Sequence, residues 1–206
     1  MNKREEFVRF GLGCLGYKSK QDLIEKLYIR SILDSYKRID KNIGVENDIR
    51  DRFIYDFYHT SPYLKKWIQT NIIYVNWERW VFKNDEDLGR TDLSFAISGF
   101  EYIVECKRLK NTSQEYVDNG LRRFINGDYC ASESYAGMIG FVVNGNAESI
   151  CRNMETKCKT EKYVSNLFVR KSPADLGYSF KTSHFRKNLP DVNVYHLFLE
   201  FVKISN

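Results

Sequence analysis

Residues 90–111, RTDLSFAISGFEYIVECKRLKN, alternate apolar and polar side chains on both sides of the dipeptide Ser98-Gly99. A period of two marks a strand with one face toward a core, and a short Gly-containing break between two such runs marks a hairpin. The first run, Arg90–Ile97, puts Leu93, Phe95 and Ile97 on one face and Asp92, Ser94 and Ala96 on the other. The second, Glu101–Leu109, sends Tyr102, Val104 and Cys106 toward a core and Ile103, Glu105 and Lys107 the opposite way. Closing the hairpin at Ser98-Gly99 brings Asp92 near Glu105 and Lys107, so three ionisable groups converge on one side of a sheet.

Outward from the hairpin, the pattern alternates between helical and extended periods. Upstream, residues 20–39 carry Leu23, Leu27, Ile32 and Tyr36 at helical spacing, and 46–58 carry Ile49, Phe53, Ile54 and Phe57, with Gly44 as the break between them. A shorter helix is expected through Trp67, and a strand over 72–83, rich in Ile, Tyr, Val and Trp. The glycine-rich stretch 11–16 reads as a flexible lead-in to the first helix. Downstream, 113–126 returns to helical spacing with Tyr116, Leu121 and Phe124 inward and Gly127 as its stop. A buried strand is expected at 137–144, a helix at 147–159, and strands at 164–170 and 192–202. Helix, three strands, helix, strand predicts an α/β fold of three layers, a mixed central sheet flanked by helices. Residues 1–40 are expected as an N-terminal helical extension and 41–206 as the α/β domain.

Composition narrows the function classes. The chain has 206 residues with a net charge of +5, which permits a phosphate-rich partner without requiring one. Five cysteines, an odd number at wide spacings with no CxxC pair, disfavour a disulfide framework or a structural zinc site. No apolar run reaches membrane-span length and MNKREEFVRF lacks a signal-peptide core, so the expectation is a cytoplasmic protein with no membrane role. Neither a Walker A loop nor GxGxxG is present, and no Ser–His–Asp set is legible. His196 lies in an apolar strand and reads as a core residue; His184, with Arg186, is expected to be exposed and able to meet a phosphate.

The chemistry of the hairpin group is specific. Two carboxylates bind a hard divalent cation through oxygen, with Mg²⁺ keeping waters and substrate phosphate as further ligands. A neighbouring ammonium can orient the nucleophile or stabilise developing phosphoryl charge. Asp92 followed by Glu105-Cys106-Lys107 on the next strand resembles the Asp…(D/E)xK signature of the PD-(D/E)xK nuclease superfamily, with Thr91 in place of the motif's Pro. The resemblance covers about half the chain, residues 46–144, including the element order. It implies a restriction endonuclease-like core and a Mg²⁺-dependent nuclease acting on DNA, with Mn²⁺ as a substitute. Restriction, phage defence and DNA repair are the settings it implies. Asp92, Glu105 and Glu46 are implied as metal ligands and catalytic residues, with Lys107 assisting the water or the transition state. Gln114, Arg122 and Arg123 are implied on the phosphate side; Lys110 joins them as part of the basic run after the motif. RNA stays open as a substrate, as does a homodimer. The alternative is a catalytically inactive DNA-binding or protein-interaction module on the same fold, since a Glu–Lys cross-strand pair also suits a solvated hairpin face.

Overall fold

In the computed structural model, residues 2–82, 88–160, 164–168 and 178–201 are described. The hairpin forms as its alternation requires. Strand β2 (Leu88–Ile97) and strand β3 (Phe100–Leu109) run antiparallel, with Ile97 opposite Phe100 at the turn. Gly99 takes φ +76°, and a Cβ there would lie 3.0 Å from the Arg4 carbonyl oxygen, so both the turn and its packing require glycine. Strand β1 (Tyr74–Phe82) pairs antiparallel with β2 and forms the sheet edge on that side.

Beyond the hairpin the sheet changes hand. Strand β4 (Tyr135–Val142) lies parallel to β3, which a crossover must achieve, and the intervening residues 114–126 form it. That crossover is α6 (Gln114–Tyr116), a π-helical turn Val117–Leu121 and α7 (Arg122–Asn126), stopped by Gly127 at φ +83°. Helix α8 (Ala147–Thr160) then leads to β5 (Val164–Phe168), β6 (Ser179–His184) and β7 (Val192–Glu200). The sheet is seven-stranded and mixed, in the order β1-β2-β3-β4-β7-β6-β5.

Two cores cover its two faces. One unites Leu93, Phe95, Tyr102 and Val104 with the amino-terminal helices: α1 (Lys3–Leu15), α2 (Lys20–Leu23), α3 (Arg30–Arg38), α4 (Glu46–His59) and α5 (Lys65–Gln69). The other joins Ile103 and Met138 to Tyr116, Leu121, Phe124 and the α8 residues Ile150 and Met154. The layers are helices, sheet, helices, so the α/β three-layer expectation holds. Among the described residues, no helix is long and apolar enough to cross a membrane.

Three local expectations are corrected. The glycine-rich stretch 11–16 is not a lead-in: residues 11–15 complete α1, and Gly11 lets that helix approach Ile97 closely. The helix over 20–39 contains a π-helical stretch, Ile24–Ile29, that no residue pattern announced. Strand β6 was not anticipated, because Ser179–His184 is polar at alternate positions and brief. Residues 83, 169, 170 and 202, at the ends of expected strands, and residues 84–87 lie outside the described residues.

Candidate functional site

The antiparallel ladder between β2 and β3 runs from Ile97–Phe100 to Leu93–Val104 and stops. The next pair would be Asp92 opposite Glu105. Instead the Cys106 backbone N–H donates to Asp92 Oδ2 at 2.8 Å, so a side-chain carboxylate takes the place of a strand carbonyl. From that point β3 turns its pairing to β4, with Val104 opposite Gly137 through Leu109 opposite Val142. The two strands of the hairpin therefore part like a fork. Leu93 and Val104 are paired with their side chains in one core, so by alternation along each strand Asp92 and Glu105 both turn to the opposite side of the sheet, at the fork's root. Lys107 follows two residues along the same face of β3.

Glu105 is 1% exposed, which is rare for a carboxylate without partners. Its Oε1 accepts from Lys107 Nζ at 2.8 Å and from Arg123 Nη1 at 2.9 Å. Its Oε2 is buried and has no hydrogen-bond partner among the described residues. Burial pushes the Glu105 pKa up to about 7, the charge of Asp92 adds to the rise, and Lys107 and Arg123 oppose it. Burial works against the Lys107 ammonium too, but Glu105 and Asp92 outweigh it and hold the pKa above the usual lysine range. The lysine therefore stays charged.

Helix α4 closes the fork from one side. Glu46, in its first turn, accepts the Arg108 backbone N–H on Oε2 at 2.6 Å. Burial raises the Glu46 pKa, the Arg108 N–H opposes this, and Asp92 raises it further. Arg50, one turn on, is 3% exposed: its Nη2 donates to Glu78 Oε1 at 2.6 Å and its Nη1 lies 3.5 Å from Asp92 Oδ1. Glu78 is in β1 at φ +50°, a left-handed backbone costing about 1–2 kcal/mol in a non-glycine residue. It falls between the Trp77–Leu93 and Arg79–Thr91 pairs, level with Asp92. Backbone strain thus sits beside the acidic group. On the other side of the fork, Tyr129 donates its hydroxyl to the Arg90 carbonyl at 2.7 Å and accepts from Arg123 Nη1 at 3.0 Å.

The structure brings Asp92, Glu105, Lys107 and Arg123 together, with Glu46 alongside. Sequence reasoning missed Arg50, Glu78 and Tyr129. A signal existed for Arg50, which lies four residues after Glu46 and so on the same helix face. Nothing in the sequence marked Glu78 or Tyr129, which reach the fork from other elements. Gln114 and Arg122 both turn to Asp118 within their own helical segment, and Lys110 is exposed after β3. His184 and Arg186 correct the expectation of an exposed phosphate contact. His184 is fully buried against Thr182, and Arg186 donates to the carbonyls of Phe124, Cys130, Glu133 and Pro190. His196 is a core residue, bonded to Tyr116 and Thr182, and burial holds its pKa far below the usual histidine value.

Among the described residues, no group of three or more His, Cys, Asp or Glu side chains is disposed to hold a metal ion. Two carboxylates at the fork nonetheless suit a hard cation: Glu105 Oε2 is a buried oxygen without a donor among the described residues, and the Asp92 charge is close enough to raise the Glu105 pKa. Comparison with protein-family models, with curated proteins and with solved structures returns no match.

Proposed function

We propose that this chain is a metal-dependent nuclease that hydrolyses phosphodiester bonds of DNA, with a restriction endonuclease-like core and its chemistry at the β2–β3 fork. The observation that carries the reading is Glu105 Oε2, a buried oxygen with no donor among the described residues, in a carboxylate whose other oxygen bonds the Lys107 ammonium and whose pKa the Asp92 charge raises. A buried polar atom without a partner costs about 1–3 kcal/mol, so it calls for a ligand. Asp92 and Glu105 would hold Mg²⁺, or Mn²⁺ in its place, while Glu46 stays on the Arg108 N–H and forms no three-residue ligand group with them. When bound, the cation supplies Lewis acidity and a lowered pKa for an adjacent water.

The chain's own groups do the rest. Lys107 presents a permanent ammonium that pairs with phosphoryl oxygen charge as it develops. Arg123, braced by Tyr129, keeps Glu105 in one rotamer. Arg50 holds the Asp92 carboxylate from the far side and ties it to β1 through Glu78. The Glu46 contact with the Arg108 N–H fixes the path of β3 past the fork.

The test is cleavage of DNA, offered as plasmid and as single-stranded circle, in Mg²⁺, in Mn²⁺ and in EDTA. The expected result is cutting in either metal, none in EDTA, and none by Lys107→Ala protein that keeps the wild-type circular dichroism spectrum. A second reading is favoured by the cations already facing the acids: Lys107 and Arg123 on Glu105, Arg50 near Asp92. A fork neutralised in this way suits a catalytically silent nucleic-acid-binding module, which would bind DNA with no dependence on magnesium.

A further inference from the structure

A separate cavity of about 480 Å³ opens between α4 and β1, lined by Asp51, Ile54, Tyr55, Tyr58, His59 and Trp77. Five of these residues lie at helical positions i, i+3, i+4, i+7 and i+8 of α4, the spacing of a stripe that faces a core. Here Ile54 reaches the core while Asp51, Tyr55 and His59 stay exposed. Tyr55 is 64% exposed and Trp77 is 46% exposed. The rings are ordered: Tyr55 and His59 lie 4.5 Å apart at 37°, and Tyr58 meets Trp77 edge-on at 6.2 Å. Tyr58 is anchored by its hydroxyl, which donates to the Val75 carbonyl at 3.2 Å.

The lining selects its ligand. Among the described residues no Lys or Arg lines the cavity, and the Asp51 carboxylate repels a phosphate. A planar heterocycle stacks on these rings and can donate an N–H edge to Asp51, as base amino groups do to acidic side chains. The cavity also adjoins the fork. Asp51 follows Arg50, Trp77 precedes Glu78, and Arg50 and Glu78 are the ion pair that braces Asp92. Bases in a duplex are stacked on one another and cannot enter such a cavity. We infer that this cavity receives an unpaired nucleobase, and that the strand handed to the fork is single-stranded nucleic acid. The assignment rests on the nucleic-acid reading of the fork.

The experiment uses full-length Lys107→Ala protein with EDTA and a fluorescent single-stranded oligonucleotide of about 15 nucleotides, against the same strand in duplex. Anisotropy should show tighter binding of the single strand. Adding Tyr55→Ala, a change at an exposed position, should weaken that binding by about 5- to 100-fold, the worth of one stacked base, and leave duplex binding and melting temperature unchanged. Trp77→Leu should act in the same direction. Millimolar cytidine should compete, and inorganic phosphate at equal ionic strength should not. Unchanged single-strand binding in Tyr55→Ala, or equal losses for both strands, overturns the inference. The two readings fail separately: a wild-type protein that cuts duplex DNA regardless of Tyr55 keeps the nuclease and loses the base site. One that binds single strands through Tyr55 but never cuts keeps the base site and loses the nuclease.

Discussion

Glu105→Gln should remove a specific part of the protein's pH dependence. In the fold, the Glu105 carboxyl titrates at about 7 rather than 4.5, through burial first and the Asp92 charge second. Ionising it in place therefore costs about 3 kcal/mol more than in the unfolded chain. The sign follows from linkage. Between pH 4.5 and 7 the folded state holds a proton that the unfolded state has released, so stability falls as pH rises through that window. Below 4.5 the full contribution is present; above 7 it is gone. For a domain of this size about 1 kcal/mol corresponds to about 2–4 °C, so this one group should lower the melting temperature by about 6–12 °C between pH 4.5 and 8. Other groups titrate in the same window, and comparison with the variant removes them. Glutamine keeps the shape and cannot ionise. It also withdraws the carboxylate from Lys107 and Arg123, which changes the absolute stability, so the comparison reads the slope with pH and not the offset. The assay is thermal unfolding of both proteins in EDTA across pH 4.5–8. The melting temperature of Glu105→Gln should gain on the wild type by about 6–12 °C toward pH 8. Parallel curves would refute the burial argument and, with it, the claim that the fork buries an ionisable carboxylate with one oxygen unpaired among the described residues.

Three further outcomes follow from the packing. Asp92→Asn keeps an oxygen for the Cys106 N–H but removes the charge that raises Glu105, so the Glu105 midpoint, followed by carboxyl carbon NMR, should move down. Arg186→Ala leaves the carbonyls of Phe124, Cys130, Glu133 and Pro190 without their common donor; a loss of about 3 kcal/mol or more is expected in urea unfolding. Gly137→Ala would set a Cβ 2.5 Å from the Tyr102 hydroxyl oxygen in the core between β3 and β4, and should cost about 1–3 kcal/mol by the same measurement.

The alternation in residues 90–109 determined by itself where the hairpin lies, which faces its side chains take and that Asp92, Glu105 and Lys107 share one of them. That was legible because strand faces follow a strict period of two, and Ser98-Gly99 leaves one place to turn. Helical spacing likewise marked α4 and its apolar stripe. The sequence did not show that the β2–β3 ladder ends at Leu93–Val104, since that end is made by Asp92 capturing the Cys106 N–H across the sheet. Nor did it show β6, whose polar Lys181 and Ser183 alternate with Phe180, Thr182 and His184, residues buried only because the sheet extends past β7. His184 and Arg186 looked like surface cations for the same reason. Tertiary structure alone decided that Arg50, Glu78 and Tyr129 reach the fork from three different elements. Periodicity reports which face a side chain occupies; which distant element packs against that face depends on how the layers close, and that determines what each charge meets.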